Sequence, residues 1–245
     1  MLPNLKIWLN HFEYHAEHPR RMSTGIPNEL TDTERRLIAA SIATFQLGEQ
    51  SSGSNLLRAA YYFAQEQDAP EIARITELLI KEEQQHAALL RSFMAGHGIP
   101  TVGHHWTDAV FRRARQGAEL ELALSILMTA ELIGNVYYRA LEVATGCQRL
   151  RLLCRMLVAD ELAHVGFESD LLLALRARKA APVRVVKDQL HRAFFLGTAL
   201  VVWSTHRRVL KKTGYGMFGF LQACWAQYQF YLVKPYRWSA RTRRA

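Results

Sequence analysis

Apolar residues recur along this chain at intervals of three and four, the period of one helical face, over most of its 245 positions. The first such stretch opens at Thr31-Asp-Thr-Glu34, a capping-box sequence. Its stripe of Ile38, Ile42, Phe45, Glu49, Gly53, Leu56 and Ala60 predicts one helix to about residue 66. Pro70, suited to a first helical position, opens a second helix with the stripe Ile72, Ile75, Leu79, Glu83, His86, Leu90 and Phe93. Gly96, Gly98 and Pro100 close it. A third helix, about 118–144, presents Leu120, Leu124, Leu127, Glu131, Gly134 and Tyr138. After Gly146 a fourth presents Leu150, Cys154, Leu157, Glu161, His164, Glu168 and Leu171.

Around these four helices the pattern is looser. Residues 97–117 are too long for a tight turn and read as a crossover between the second and third helices, carrying a short basic helix. Residues 1–32, with Pro3, Pro19 and Pro27, read as a peripheral arm. Two further helices, about 183–212 and 216–233, form a C-terminal extension. Leu190, Phe194, Val201 and Leu210 supply its apolar side, and Phe218, Phe220, Trp225 and Tyr228 an aromatic cluster. The expectation is an all-α chain in three segments: an arm (1–32), a four-helix bundle (33–178) and a helical extension with a tail (179–245).

The chemistry lies where the stripes are interrupted. Glu83-Gln-Gln-His86 and Glu161-Leu-Ala-His164 each place a carboxylate and an imidazole at i and i+3, on one helical face, so that one metal ion can take both. Two copies imply two metals. Each copy follows a lone acid on an otherwise apolar stripe: Glu49 lies 34 residues before Glu83, and Glu131 lies 30 before Glu161. Burying an unpaired charge costs several kcal/mol, so four stripes each interrupted by acid need a shared compensator. Two divalent ions would supply it, and four carboxylates with two imidazoles suit iron or manganese. Each motif glutamate is preceded by another acid, Glu82 and Asp160. A metal-bound histidine commonly donates its other ring N–H to a carboxylate, which predicts Asp160 on His86 and Glu82 on His164.

At these residues the chain resembles the ferritin-like di-iron carboxylate superfamily, over about positions 33–175. In the order single Glu, Glu-x-x-His, single Glu, Glu-x-x-His, the resemblance implies a ferritin-like four-helix bundle with a long crossover between helices 2 and 3. It implies that Glu49, Glu83, His86, Glu131, Glu161 and His164 hold two iron ions, or a mixed manganese–iron pair, with Glu83 and Glu161 bridging. It also implies a non-haem oxidoreductase that activates O₂ or peroxide to hydroxylate or oxidise a small organic substrate, with electrons from an external donor. Members include rubrerythrins, demethoxyubiquinone hydroxylases, aldehyde-deformylating oxygenases and a tRNA hydroxylase. The chain lacks the CxxC pairs of a complete rubrerythrin.

Other residues near the stripes have two readings each. Gly53 and Gly134, one turn past Glu49 and Glu131, leave room for oxygen or substrate, or else allow close helix packing. Tyr138 is a pocket residue or core packing. Glu168 is a spare ligand or proton relay, or else a partner-bound or outward-tilted acid. His11, His15 and His18 share a helical face and read as surface or packing residues rather than a second metal site, as do His104 and His105.

Composition changes this picture in one respect. Of the net charge of +9, residues 179–245 carry +12, leaving −3 for residues 1–178. A basic, aromatic extension admits a lid, an anionic membrane surface or an RNA contact alongside simple packing. The alternatives are therefore a rubrerythrin-like peroxide scavenger and a metal-binding protein that docks on RNA or membrane. Three scattered cysteines and an N-terminus without a leader pattern point to the cytoplasm. A homodimer is compatible with all of these.

Overall fold

A computed structural model describes residues 2–22, 25–104 and 118–233 of the chain. Among the described residues the fold is all-helical, with no strand. The helices are α1 (Leu5–Glu17), α2 (Asp32–Glu49), α3 (Ser54–Gln67), α4 (Pro70–Gly96), α5 (Leu120–Ala144), α6 (Gln148–Ala177), α7 (Ala181–Lys212) and α8 (Met217–Tyr228), the last continued by a π-helical turn, Gln229–Val233. His105 and the basic helix expected before Gly117 lie outside the described residues, as does the arginine-rich tail.

Helix α5 is the interior element. It packs on α2, α3, α6, α7 and α8, and a three-residue connection ties it to α6. Its apolar window, of mean hydropathy 1.3, is long enough to cross a membrane, yet 83% of that window is buried among the other helices. Helix α4 packs on α1, α2, α3 and α6. The start of α2 is fixed by the expected capping box, in which Thr31 Oγ1 accepts from Glu34 N–H (3.2 Å) and Thr31 N–H donates to Glu34 Oε2 (3.0 Å). The other Glu34 oxygen accepts from Gly146 N–H (2.6 Å), joining this cap to the α5–α6 turn.

Three expectations are corrected. The helix expected from residue 31 to 66 breaks directly after Glu49. Ser51, Ser52 and Gly53 favour local side-chain hydrogen bonds over helix, and Gly53 takes the left-handed conformation (φ 63°) that caps α3. Within the segment expected as a peripheral arm, α1 is not peripheral, because it packs on α4 and buries Trp8 and Phe12. Leu190 is 66% exposed. The buried face of α7 instead runs through His191, Phe195, Thr198, Ala199, His206, Val209 and Leu210, while Phe194 and Val201 are half-buried beside it.

Candidate metal centre

The six sequence-predicted residues come from four helices and meet in one place. Glu49 is the last residue of α2, Glu83 and His86 lie within α4, Glu131 within α5, and Glu161 and His164 within α6. They fall into two groups, Glu49–Glu83–His86–Glu161 and Glu83–Glu131–Glu161–His164. Within each group one ligand atom per residue lies within 4.8 Å of all the others, and Glu83 and Glu161 belong to both. The α-helical period explains the convergence, since Glu83 and His86, like Glu161 and His164, project from one face one turn apart.

Both histidines turn Nδ1 towards the acids. His86 Nδ1 is 3.2 Å from Glu161 and 3.6 Å from Glu83; His164 Nδ1 is 2.8 Å from Glu83 and 3.1 Å from Glu161. Each Nε2 faces outward to the acid before the partner motif, with His86 at 3.3 Å from Asp160 and His164 at 3.0 Å from Glu82. If each Nε2 carries the proton it donates to that carboxylate, fixing the tautomer and leaving the Nδ1 lone pair for a metal. The acids are held in turn from the N-terminal segment. Arg20 Nε lies 2.7 Å from Asp160, and His15 Nδ1 lies 3.3 Å from Glu82. The ring of Phe12 stacks on His164 (5.8 Å, 23°) and meets Phe167 edge-on, while Trp8 Nε1 donates to Asp170 (3.1 Å).

Protonation shows the stress of this arrangement. Burial and the neighbouring Glu83 raise Glu49 well above the usual carboxylate range, and burial with Glu161 and Glu83 does the same to Glu131. Burial alone would raise Glu83, but the adjoining His164 and His86 imidazoles bring it well below. Burial opposes charge on His86, and Asp160, Glu161 and Glu83 overcome it. For His164 the same opposition is overcome by Glu161 and Glu82. Protons thus do part of the work of a cation. Glu83 Oε1, Glu161 Oε1 and His86 Nδ1 are buried and close to one another, yet none makes a well-aligned hydrogen bond, a costly state for polar atoms unless something binds there. Four carboxylates and two imidazoles, three of their buried atoms lacking a well-aligned hydrogen bond, fit a pair of hard or borderline divalent ions.

The remaining sequence candidates divide. Tyr138 donates a hydrogen bond to Glu49, and burial raises its phenol well above the ordinary value. Gly53 is explained by its backbone and by Ile80, whose Cδ1 lies 2.5 Å from where a Cβ would sit. At Gly134 a Cβ would meet only Tyr138, at 4.0 Å, so space rather than contact surrounds it. Glu168 is not outward-tilted: it is fully buried, neither oxygen has a hydrogen-bond partner, and burial raises its pKa strongly. His18 stacks on Tyr14 at the surface as expected, whereas His15 supports Glu82.

A cleft of about 490 Å³ opens onto the centre. Glu49, Glu83, Glu131 and Glu161 line its floor; neither histidine does. Its walls include Phe45, Ile80 and Leu127, with Phe194, Val201 and His206 from α7. Sequence reasoning missed Phe12, His15, Arg20 and the part played by α7. A signal for α1 was present, since Leu5, Trp8, Leu9 and Phe12 recur at intervals of three, one and three. No family model, curated protein or solved structure matches the chain.

Proposed function

We propose that the chain is a ferritin-like, four-helix di-iron oxidoreductase that uses O₂ or peroxide to hydroxylate or otherwise oxidise a small organic molecule. One observation carries the reading: two groups of ligand atoms share Glu83 and Glu161, and the carboxylate side of both faces an apolar cleft. Two iron ions, or a manganese–iron pair, held by Glu49, Glu83, His86, Glu131, Glu161 and His164, would supply the redox chemistry. The chain's own residues do the rest. Asp160 and Glu82 orient the imidazoles, Tyr138 holds Glu49, and the apolar walls exclude water from the carboxylate side. Hydroxylation balances as R–H, O₂, two electrons and two protons giving R–OH and water, with the electrons drawn from a separate reductase. Peroxide scavenging alone would need no organic pocket, so the cleft favours the oxygenase reading.

The test is metal content with spectroscopy. After anaerobic iron loading the full chain should hold about two irons, as expected for this ligand pattern, and exposure to O₂ should develop visible absorption. Glu131→Ala and His164→Ala should each lose stoichiometric loading. Unchanged loading in both variants overturns the assignment.

A further inference from the structure

We infer that the cleft accepts a neutral, elongated, mostly hydrocarbon molecule, an alkyl chain with an uncharged head such as a hydroxyl or aldehyde, with one carbon laid against the four glutamates. This deepens the reading of that site as an oxidising metal centre and rests on it.

Charge is the first ground. Among the described residues that line the cleft there is no lysine or arginine, and its acids are the four proposed ligands. Two divalent ions would balance those four carboxylates, leaving no surplus positive charge for a carboxylate or phosphate on a substrate. A charged group would also lose its water against Phe45, Leu127 and Phe194, with little beyond the hydroxyls of Thr44, Ser51 and Thr198 and the His206 ring to replace it. The basic residues of α7 do not change this, because Arg184, Lys187 and Arg192 are absent from the lining.

Space is the second ground. Three helices each contribute a glycine to the lining: Gly48 from α2, Gly134 from α5 and Gly197 from α7. Glycine within a helix weakens it, so an interior glycine calls for a reason, often the close approach of another backbone. None of the three has such a contact. A Cβ on Gly48 or Gly197 would meet nothing within 4 Å, and one on Gly134 only the edge of Tyr138. Their common effect is open volume above the glutamates. Gly134 is buried near the floor, one turn past Glu131, while Gly48 and Gly197 are exposed at the mouth. At about 490 Å³ the cleft falls within the roughly 300–1,000 Å³ of small-molecule sites.

Shape is the third ground. Val183, Val186, Leu190, Phe194, Gly197 and Val201 occupy one face of α7 at intervals of three and four. The last three line the cleft, and the first three continue the track outside it, exposed to solvent. Eighteen residues of helix span roughly 27 Å, a linear apolar path that suits a chain better than a compact ring. Gly197, where the path enters the cleft, would then set how long a chain fits comfortably, and Gly134 would set whether any chain reaches the floor.

Calorimetric titration of the full chain as purified, with its metal content measured on the same sample, tests this with 1-dodecanol, 1-hexanol and dodecanoate. Dodecanol should bind at least tenfold more tightly than dodecanoate. Gly197→Phe should weaken dodecanol at least tenfold and hexanol less than threefold, with metal stoichiometry unchanged. Gly134→Leu should weaken both alcohols. Absence of saturable dodecanol binding, a preference for dodecanoate, or unaltered dodecanol affinity in Gly197→Phe would overturn the inference. Selective alcohol binding by a chain that takes up no metal would keep the cleft reading and sink the metal centre. Two metals without alcohol binding would do the reverse.

Discussion

The proposed centre has two unlike sides. Behind the histidines, α1 and the residues just after it close the structure: Phe12 stacks on His164, Trp8 lies over Gly166, and Arg20 and His15 reach Asp160 and Glu82. In front of the glutamates the helices stand apart, and α7 forms the wall of a cleft. The difference is what oxidative chemistry in a metal pair would ask of a protein. Ligands that must stay fixed are packed and hydrogen-bonded from outside, while the groups nearest the reacting molecule face open volume. The two walls are also secured by different forces. Helix α1 is anchored by aromatic burial. Helix α7 is anchored partly through Arg176 of α6, which donates to Asp188 (2.9 Å) and to His191 Nδ1 (2.9 Å), and through Lys187, which reaches Glu121 (2.6 Å).

The largest effect should come from breaking what the two sides share. Glu161 belongs to both ligand groups, so Glu161→Ala should reduce bound iron from about two per chain to near zero, read by elemental analysis. Asp160→Asn acts only behind the histidines. It should keep both metals at saturation while weakening affinity by about 10–100-fold, the usual consequence of losing such a support. Equal loss in the two variants would abolish the distinction between ligand and support.

The walls can be separated by truncation and by acid. Phe12 is 1% exposed and touches both His164 and Phe167, so Phe12→Ala should destabilise the fold by about 3–5 kcal/mol, read by chemical denaturation. Acid should loosen α7 through His191, and α1 as well, since burial and His15 lower His11 to about 4. Burial and the Arg176 guanidinium lower His191 to about 3, from an ordinary 6.5. Because the folded state resists the proton and the unfolded state accepts it, stability is unaffected above pH 6.5 and falls as pH drops towards 3. The slope is at most about 1.4 kcal/mol per pH unit for this group. Amide exchange in α7 should therefore rise between pH 6 and 4.5, and His191→Gln should remove that rise while leaving the one in α1. An unaltered α7 profile in His191→Gln would show that His191 does not govern the cleft wall.

How far the sequence disclosed this depends on what kind of force set each element. The cluster of acids and imidazoles was legible because Glu and His three residues apart share one helical face, and the supports Glu82 and Asp160 because they adjoin it. The break after Glu49 was hidden because Leu56 and Ala60 continue the apolar period across Ser51-Ser52-Gly53, and Leu56 and Ala60 are indeed buried, in α3. The face of α7 was misread for the opposite reason. Its buried side is polar at His191, Thr198 and His206, where hydrogen bonds such as Ser41 to His206 Nδ1 (2.8 Å) replace apolar contact. Hydrophobic periodicity therefore selected the neighbouring stripe, which faces the cleft and solvent. Helix α1 obeys the ordinary pattern, with Trp8 and Phe12 one turn apart, but three prolines around it suggested an arm.

The smallest test sets one methyl group against each wall. Gly166 and Gly134 are both helical glycines near the centre, and both accept alanine without backbone strain. At Gly166 the new Cβ would sit 2.6 Å from Trp8 Cη2, inside contact distance of a ring that is itself fully buried. Overpacking of that kind costs about 1–3 kcal/mol, and helix propensity returns only part of it. At Gly134 the Cβ would meet only Tyr138 Cε2, at 4.0 Å, so nothing offsets the propensity gain of about 0.5–1 kcal/mol. Gly166→Ala should therefore lower the denaturation midpoint and Gly134→Ala raise it slightly, with the same atoms added in each case. If Gly134→Ala instead destabilises the protein, that part of the cleft floor is already filled and the contrast between packed and open sides fails there.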